Sequence, residues 1–120
     1  MTAEALPRSF RITRAGELRA LLTQGKRRRT DHLDLFTRPS PFGHSRLAVV
    51  VPRHGHTAVR RNQLRRRIRE IGRRSVLPAL AEPTDTVVRA RPAAYEATFD
   101  RLRLEIVAAL CPSPRASSSC

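Results

Sequence analysis

Residues 58–70, "AVRRNQLRRRIRE", leave this chain few ways to fold. Six of the eleven residues from Arg60 to Glu70 are arginine, yet Leu64 and Ile68 sit among them at helical spacing. At about 100° per residue, Leu64, Ile68 and Ile71 fall in one narrow arc that also holds Ser75. Beside that arc, in angular order, come Arg61, Arg65, Arg69, Asn62, Arg73 and Arg66. Gln63, Arg67, Glu70 and Arg74 lie beyond them on the far side. The pattern predicts a helix that buries one stripe and presents a broad basic face. A helix that is merely solvated intersperses acids four residues away, because such pairs stabilise it. Here Arg60, Arg61, Arg65, Arg66, Arg67 and Arg69 face only Glu70, and Arg61–Arg65–Arg69 repel at i,i+4. Tolerated repulsion of that kind points to phosphates as the missing counter-charge.

The whole chain repeats the imbalance. Its 24 basic and 10 acidic residues leave a formal charge of +14 on 120 residues, more than solubility requires. Nucleic acid is the first partner such a charge implies. All the basic residues but Lys26 are arginine, whose planar fork suits phosphate and whose face stacks on bases. No apolar run approaches the ~20 residues of a membrane span, and no signal-like segment follows Met1. A cytoplasmic protein without a membrane partner is expected. A duplex-DNA reader would need base-reading arginines at the helix N-terminus and a dimer element; no heptads or second motif supply them, so no DNA partner is expected.

Along the chain, residues 1–7 read as a loose leader, 8–110 as one domain and 111–120 as a flexible serine-rich tail. A first helix starts near Thr13, with Leu18, Leu21 and Leu22 on one face and Gly25 as its stop. "KRRR" at 26–29 reads as an exposed basic loop, either simply solvated or making an auxiliary RNA contact. "HLDLFTR" at 32–38 alternates, setting Leu33 and Leu35 against Asp34 and Phe36. "RLAVVVP" at 46–52 is the strongest strand, and the turn-rich "PSPFGHS" before it predicts a hairpin. Thr57 is a suitable N-cap for the arginine helix. A break at "LPALAEPTD" precedes a strand at 86–91. A last helix follows Pro92, with Phe99, Leu102, Ile106 and Ala109 or Leu110 inward. This order of elements predicts an α+β fold, a two-layer sandwich of one small, mainly antiparallel sheet with about three helices.

Composition stops at a nucleic-acid binder, but spacing goes further. Arg61, Asn62, Leu64, Arg65, Arg66, Ile68, Arg69 and Glu70 resemble the signature of the bacterial ribonuclease P protein component. That signature runs Arg-Asn-Arg, a hydrophobe, two basic residues, two mostly apolar positions, then Arg and an acid or amide. The resemblance covers roughly residues 8–110, through "VVVPRH", Thr57-Ala58-Val59 and "VVRARPAA". There are departures. Gln63 replaces the second motif arginine, though at the margin of the basic arc. Arg53-His54 stands where two lysines are usual, and Gly55 lies one place early, with His56 in its stead. Leu18 and Leu22 stand where the family often has aromatics, and leucine offers a base no π-face.

The resemblance implies the small subunit of a ribonucleoprotein that removes the 5′ leader of precursor tRNA. It implies a ribosomal-protein-like sandwich with a left-handed βαβ crossover, against the general right-handed rule. The RNA subunit with Mg²⁺ is then the catalyst, and the protein binds no cofactor alone. Arg53, Arg61, Asn62, Arg65, Arg66 and Arg69 are the residues expected on the RNA subunit. Arg11, Arg14, Phe36 and Arg89 are expected on the leader, with Phe10 either beside them or as a buried anchor. The alternative is a structural or ribosomal-type RNA-binding protein with no processing role.

No protein catalytic residue is expected. His54-x-His56 has no carboxylate or cysteine near it in sequence, so His54 reads better as a phosphate or base contact. Asp31, His32 and Asp34 carry no further mark of an acid–base pair. Tyr95 reads as packing. Cys111 and Cys120 form no CxxC, and neither metal nor disulfide is expected of them.

Overall fold

The two most β-branched runs, around Val49 and Val87, lie side by side in the sheet. In a computed structural model of the chain, which describes residues 8–110, four strands form in the order β1-β2-β4-β3. They are β1 (Lys26–Arg29), β2 (Leu33–Pro39), β3 (Arg46–Val50) and β4 (Thr84–Ala90). The leader at 1–7 and the tail at 111–120, with both cysteines, lie outside the described residues.

β2 and β3 do not form the expected hairpin. β4 lies between them, antiparallel to β2 (Leu33↔Ala90) and parallel to β3 (Ala48↔Val87). The reason is burial on both faces. Asp85, Thr86, Val87 and Val88 are all buried in succession, so β4 is the strand suited to a central position. The turn at 39–45 therefore spans a strand rather than closing a pair. "KRRR" is likewise not a loop but the edge strand β1, antiparallel to β2 with Arg27↔Phe36 and Arg29↔Asp34 in register. The turn between them is closed by Thr30 N donating to Leu33 O at 2.8 Å. An edge strand of four exposed cations is an ordinary guard against edge-to-edge pairing, which hides its strand character in the sequence.

Three helices complete the α+β fold: α1 (Ala15–Gln24), α2 (Ala58–Ile71) and α3 (Phe99–Leu110). α2 and α3 cover one sheet face, where Leu64, Ile68, Ile71, Leu102 and Ile106 pack on Leu33, Leu35, Leu47 and Val88. α1 covers part of the other, with Leu21 over Phe36, Ala48 and Val87. α2 is also the crossover between parallel β3 and β4, the βαβ unit that the resemblance implies. The Thr57 hydroxyl caps it, accepting from Arg60 N at 3.2 Å. Leu64, Ile68 and Ile71 are its buried stripe, as the spacing predicts. Beyond Ile71 the helix widens into a π-turn (Gly72–Val76), where a Cβ on Gly72 would meet Leu47 Cδ2 at 2.3 Å. Glycine is what lets the helix end approach β3 so closely.

The last helix starts later than expected. Pro92–Glu96 is a separate 3-10 turn, and Tyr95 within it donates its hydroxyl to Pro52 O at 2.8 Å. Phe99 stays 36% exposed, off the expected inward stripe, while Glu105 is buried instead. The carboxylate is drawn in by its partners. It accepts from Thr30 Oγ1 at 2.6 Å, from His32 N at 3.1 Å and from Arg101 Nε at 2.9 Å, and it meets the His32 ring. This network fastens the β1–β2 turn to α3.

Candidate RNA interface

The α2 face has too few acids to neutralise it. Glu70, the only acid on the helix, turns toward its own C-terminal end, pairing with Arg73 at 2.7 Å and Arg74 at 3.1 Å. Those guanidiniums hold its pKa below the usual carboxylate range. Arg65 donates to Asn62 Oδ1 at 3.1 Å, a contact between two residues of the same face. Arg61 is partly used by the fold, because its Nε donates to Val51 O at 2.8 Å and so ties the helix to the end of β3. Arg66 and Gln63 are exposed. Arg69 is half-buried, as are Arg61 and Arg65. Burial, followed by the charges of Arg11 and Arg65, lowers its pKa from the ordinary guanidinium value.

That neighbourhood joins two groups that the sequence kept apart. Arg11, expected on the leader side, lies near enough to Arg69 of α2 for its charge to lower that group's pKa. Its backbone bridges to Leu47 of β3, and its buried Nε has no acceptor among the described residues. Arg53 is exposed in the turn leading into α2. That turn is closed by His56 N donating to Arg53 O, with His54 at φ 49° and Gly55 at φ 85°. His56 stacks on the Tyr95 ring at 3.8 Å and His54 meets the same ring edge-on at 6.4 Å. Both imidazoles thus pack against an aromatic ring.

The second surface is the sheet face that α1 leaves partly open. Register puts Arg29, Asp34, Arg89 and Val50 in one row and Arg27, Phe36, Val87 and Ala48 in the next. The structure brings Phe36 and Arg89 together, with the Arg89 guanidinium over the ring at 5.2 Å and that of Arg27 at 5.6 Å. Phe36 is only 4% exposed beneath them. Asp34 accepts from Arg27 at 3.2 Å, Arg29 at 3.3 Å and Arg89 at 3.4 Å. Burial raises its pKa, but the three arginines outweigh that and the net direction is down. His32 turns to Glu105 and Asp34 to the arginines, so the Asp31-His32-Asp34 run is divided between two networks. Arg14 is exposed where α1 begins, and Phe10 is half-buried against His44 at 5.2 Å.

Sequence reasoning missed Arg27 and Arg29 as members of this face. The available signal was alternation: in "KRRRTDHLDLF", folding back at Thr30–His32 sets Arg29 against Asp34 and Arg27 against Phe36.

Fold and surface together define a class: a small α+β protein whose basic helix and open sheet face suit a polyanion. Comparison with known proteins makes this specific. The family model described as Ribonuclease P matches residues 6–111. The ribonuclease P protein component of Acidothermus cellulolyticus is 35% identical over 108 residues, covering 83% of this chain and 84% of the relative. That of Desulfovibrio desulfuricans is 37% identical over 103 residues, covering 82% and 77%. The structure of the ribonuclease P protein from Thermotoga maritima superposes with a TM-score of 0.74 at 28% identity, covering 83% of this chain and 94% of that one. The Staphylococcus aureus protein, at 23% identity and TM-score 0.71, shares the fold. The chain belongs to the ribonuclease P protein family.

Proposed function

We propose that this chain is the protein subunit of a ribonuclease P holoenzyme, aiding removal of the 5′ leader from precursor tRNA. The observation that carries the reading is the α2 face, where the family signature coincides with cations that Glu70 does not neutralise. On this reading Arg61, Asn62, Arg65, Arg66 and Arg69, with Arg53 at the approach, dock on the RNA subunit. Arg11, Arg14, Phe36 and Arg89 serve the leader, and Arg11 marks the boundary between the two RNAs. Arginine forks match phosphate oxygens bidentately, which fixes orientation as well as affinity. The protein then acts by positioning RNA and neutralising phosphate repulsion, and the endonucleolytic step belongs to the RNA subunit.

Mg²⁺ supplies charge neutralisation and water activation in that holoenzyme. Among the described residues, no three His, Cys, Asp or Glu side chains gather to hold a metal ion. The family reading assigns the magnesium to the RNA subunit. No described helix is long and apolar enough to cross a membrane. Because its proposed substrate is precursor tRNA, we place the holoenzyme in the cytoplasm.

Reconstitution tests the reading. Adding the protein to its cognate catalytic RNA at low Mg²⁺ is expected to raise cleavage of precursor tRNA and to favour it over mature tRNA. Tight RNA binding with no change in cleavage would instead identify a structural RNA-binding protein.

A further inference from the structure

We infer that Arg27, Arg29 and Arg89 form a phosphate clamp for single-stranded RNA, preset by the buried carboxylate of Asp34. The clamp deepens the proposed function, resting on it only for the identity of the strand, the tRNA leader. One carboxylate compensates one guanidinium, so three arginines on Asp34 leave a formal excess of two positive charges. The anion lies underneath and the cations lie outside. The Asp34 side chain is 5% exposed, against 48% for Arg27, 60% for Arg29 and 35% for Arg89. Each guanidinium gives Asp34 a single N–H among the described residues, so most of its five donors remain directed elsewhere.

Geometry is fixed as well as charge. Oδ1 of Asp34 holds Arg27 and Arg29 from the edge strand, and Oδ2 holds Arg89 from the central one. Phe36 supports Arg27 and Arg89 from below, its ring serving as a floor for guanidiniums rather than a platform for bases. A guanidinium fixed on two sides loses little freedom when a phosphate binds, and pre-organisation of this kind raises affinity. Beside the cations, Leu18, Leu22 and Val50 pack as partly buried apolar neighbours. Cation next to apolar surface suits an unpaired nucleotide, whose phosphate and base are both accessible.

A simpler account is that β1 is basic only to guard the sheet edge. That account treats both faces of β1 alike, yet Lys26 and Arg28 point to the opposite face while Arg27 and Arg29 converge on a buried acid. Convergence on Asp34 is the observation that edge protection leaves unexplained.

The test uses the full chain and a labelled single-stranded RNA octamer, with binding followed by anisotropy across a KCl series. R27Q/R29Q is expected to lower affinity by about tenfold or more, as loss of charge-assisted contacts does. Its salt slope should fall by about 1.4, for two lost single-strand phosphate contacts. D34N removes a negative charge, so a field-only account expects tighter binding, whereas the clamp expects weaker binding because its anchor is gone. Circular dichroism melting checks that D34N is folded; if it is not, R27Q/R29Q alone decides. Unchanged affinity in R27Q/R29Q, or tighter binding by folded D34N, overturns the clamp. The reconstituted holoenzyme separates this from the functional reading. If the wild type favours leader-bearing precursor over mature tRNA and R27Q/R29Q does so equally, the clamp fails and the processing role stands. If the wild type shows no such preference, the processing role fails, and the octamer alone decides the clamp.

Discussion

The two basic surfaces of this protein are organised in opposite ways. On α2 the arginines are set by a helix and a buried stripe, and Glu70 pairs with Arg73 and Arg74 rather than with the docking face. On the sheet face the arginines come from β1 and β4 and converge on one buried acid, Asp34. On the first surface the partners of Arg61 and Arg65 are neutral, the Val51 carbonyl and the Asn62 amide, so their charge is left for an outside anion. The second has cations held in place, which suits a repeating backbone that always presents the same group. Equal basicity therefore conceals different construction, and on the proposed function it would serve docking on one side and phosphate capture on the other.

The most severe break comes from the buried stripe that both surfaces depend on. Leu64→Asp places a carboxylate where Leu64 is 3% exposed, and should destabilise the domain by about 4 kcal/mol or more. Thermal melting checks it, and a normally folded variant would show that α2 packs differently. Reversing charge at Arg65 and Arg69 should then separate the surfaces. Assembly with the RNA subunit is expected to weaken by about ten- to a hundredfold with a lower salt slope, while octamer binding at Arg27 and Arg29 falls much less. Equal losses in both assays would mean one continuous surface rather than two.

Smaller effects probe what holds the sheet face in place. Glu105→Gln removes the charge that ties Thr30, His32 and Arg101 together, and should cost about 1–3 kcal/mol in denaturant titrations. Because the same turn carries β1, octamer affinity should drop more than RNA-subunit affinity. Acid acts in the same direction. Asp34 and Glu105 both have pKa values lowered by folding, so their contribution is fully present above the ordinary values of 3.8 and 4.5 and is lost as pH falls through the lower folded ones. Wild type should lose stability below those values, and D34N should lose less, as denaturation midpoints across pH would show. Thr57→Ala, which removes only the α2 cap, should cost about 1 kcal/mol and leave both surfaces intact.

Much of the geometry of the basic α2 face was legible in the sequence, because a helix is a local object. The spacing of Leu64, Ile68 and Ile71 fixes which side is buried, and that in turn orients Arg65, Arg66 and Arg69 without reference to any distant residue. Thr57 as cap and Gly25 as stop follow from equally local chemistry. The family signature lies on this same helix, so the sequence determined the α+β class and the kind of partner as well. What it left open was every contact that depends on strand order. Whether β2 pairs with β3 or with β4 depends on which strands are buried on both faces, a comparison between segments far apart in the chain. The hairpin expected at 39–45 was lost in that competition, and "KRRR" became an edge strand through it. Only the tertiary structure could set Arg89 beside Asp34, 55 residues away, and Arg11 beside Arg69. Periodicity encodes which way a side chain points along its own element. What it points at is decided by the pairing of elements, because the burial that selects one pairing over another is shared among all of them.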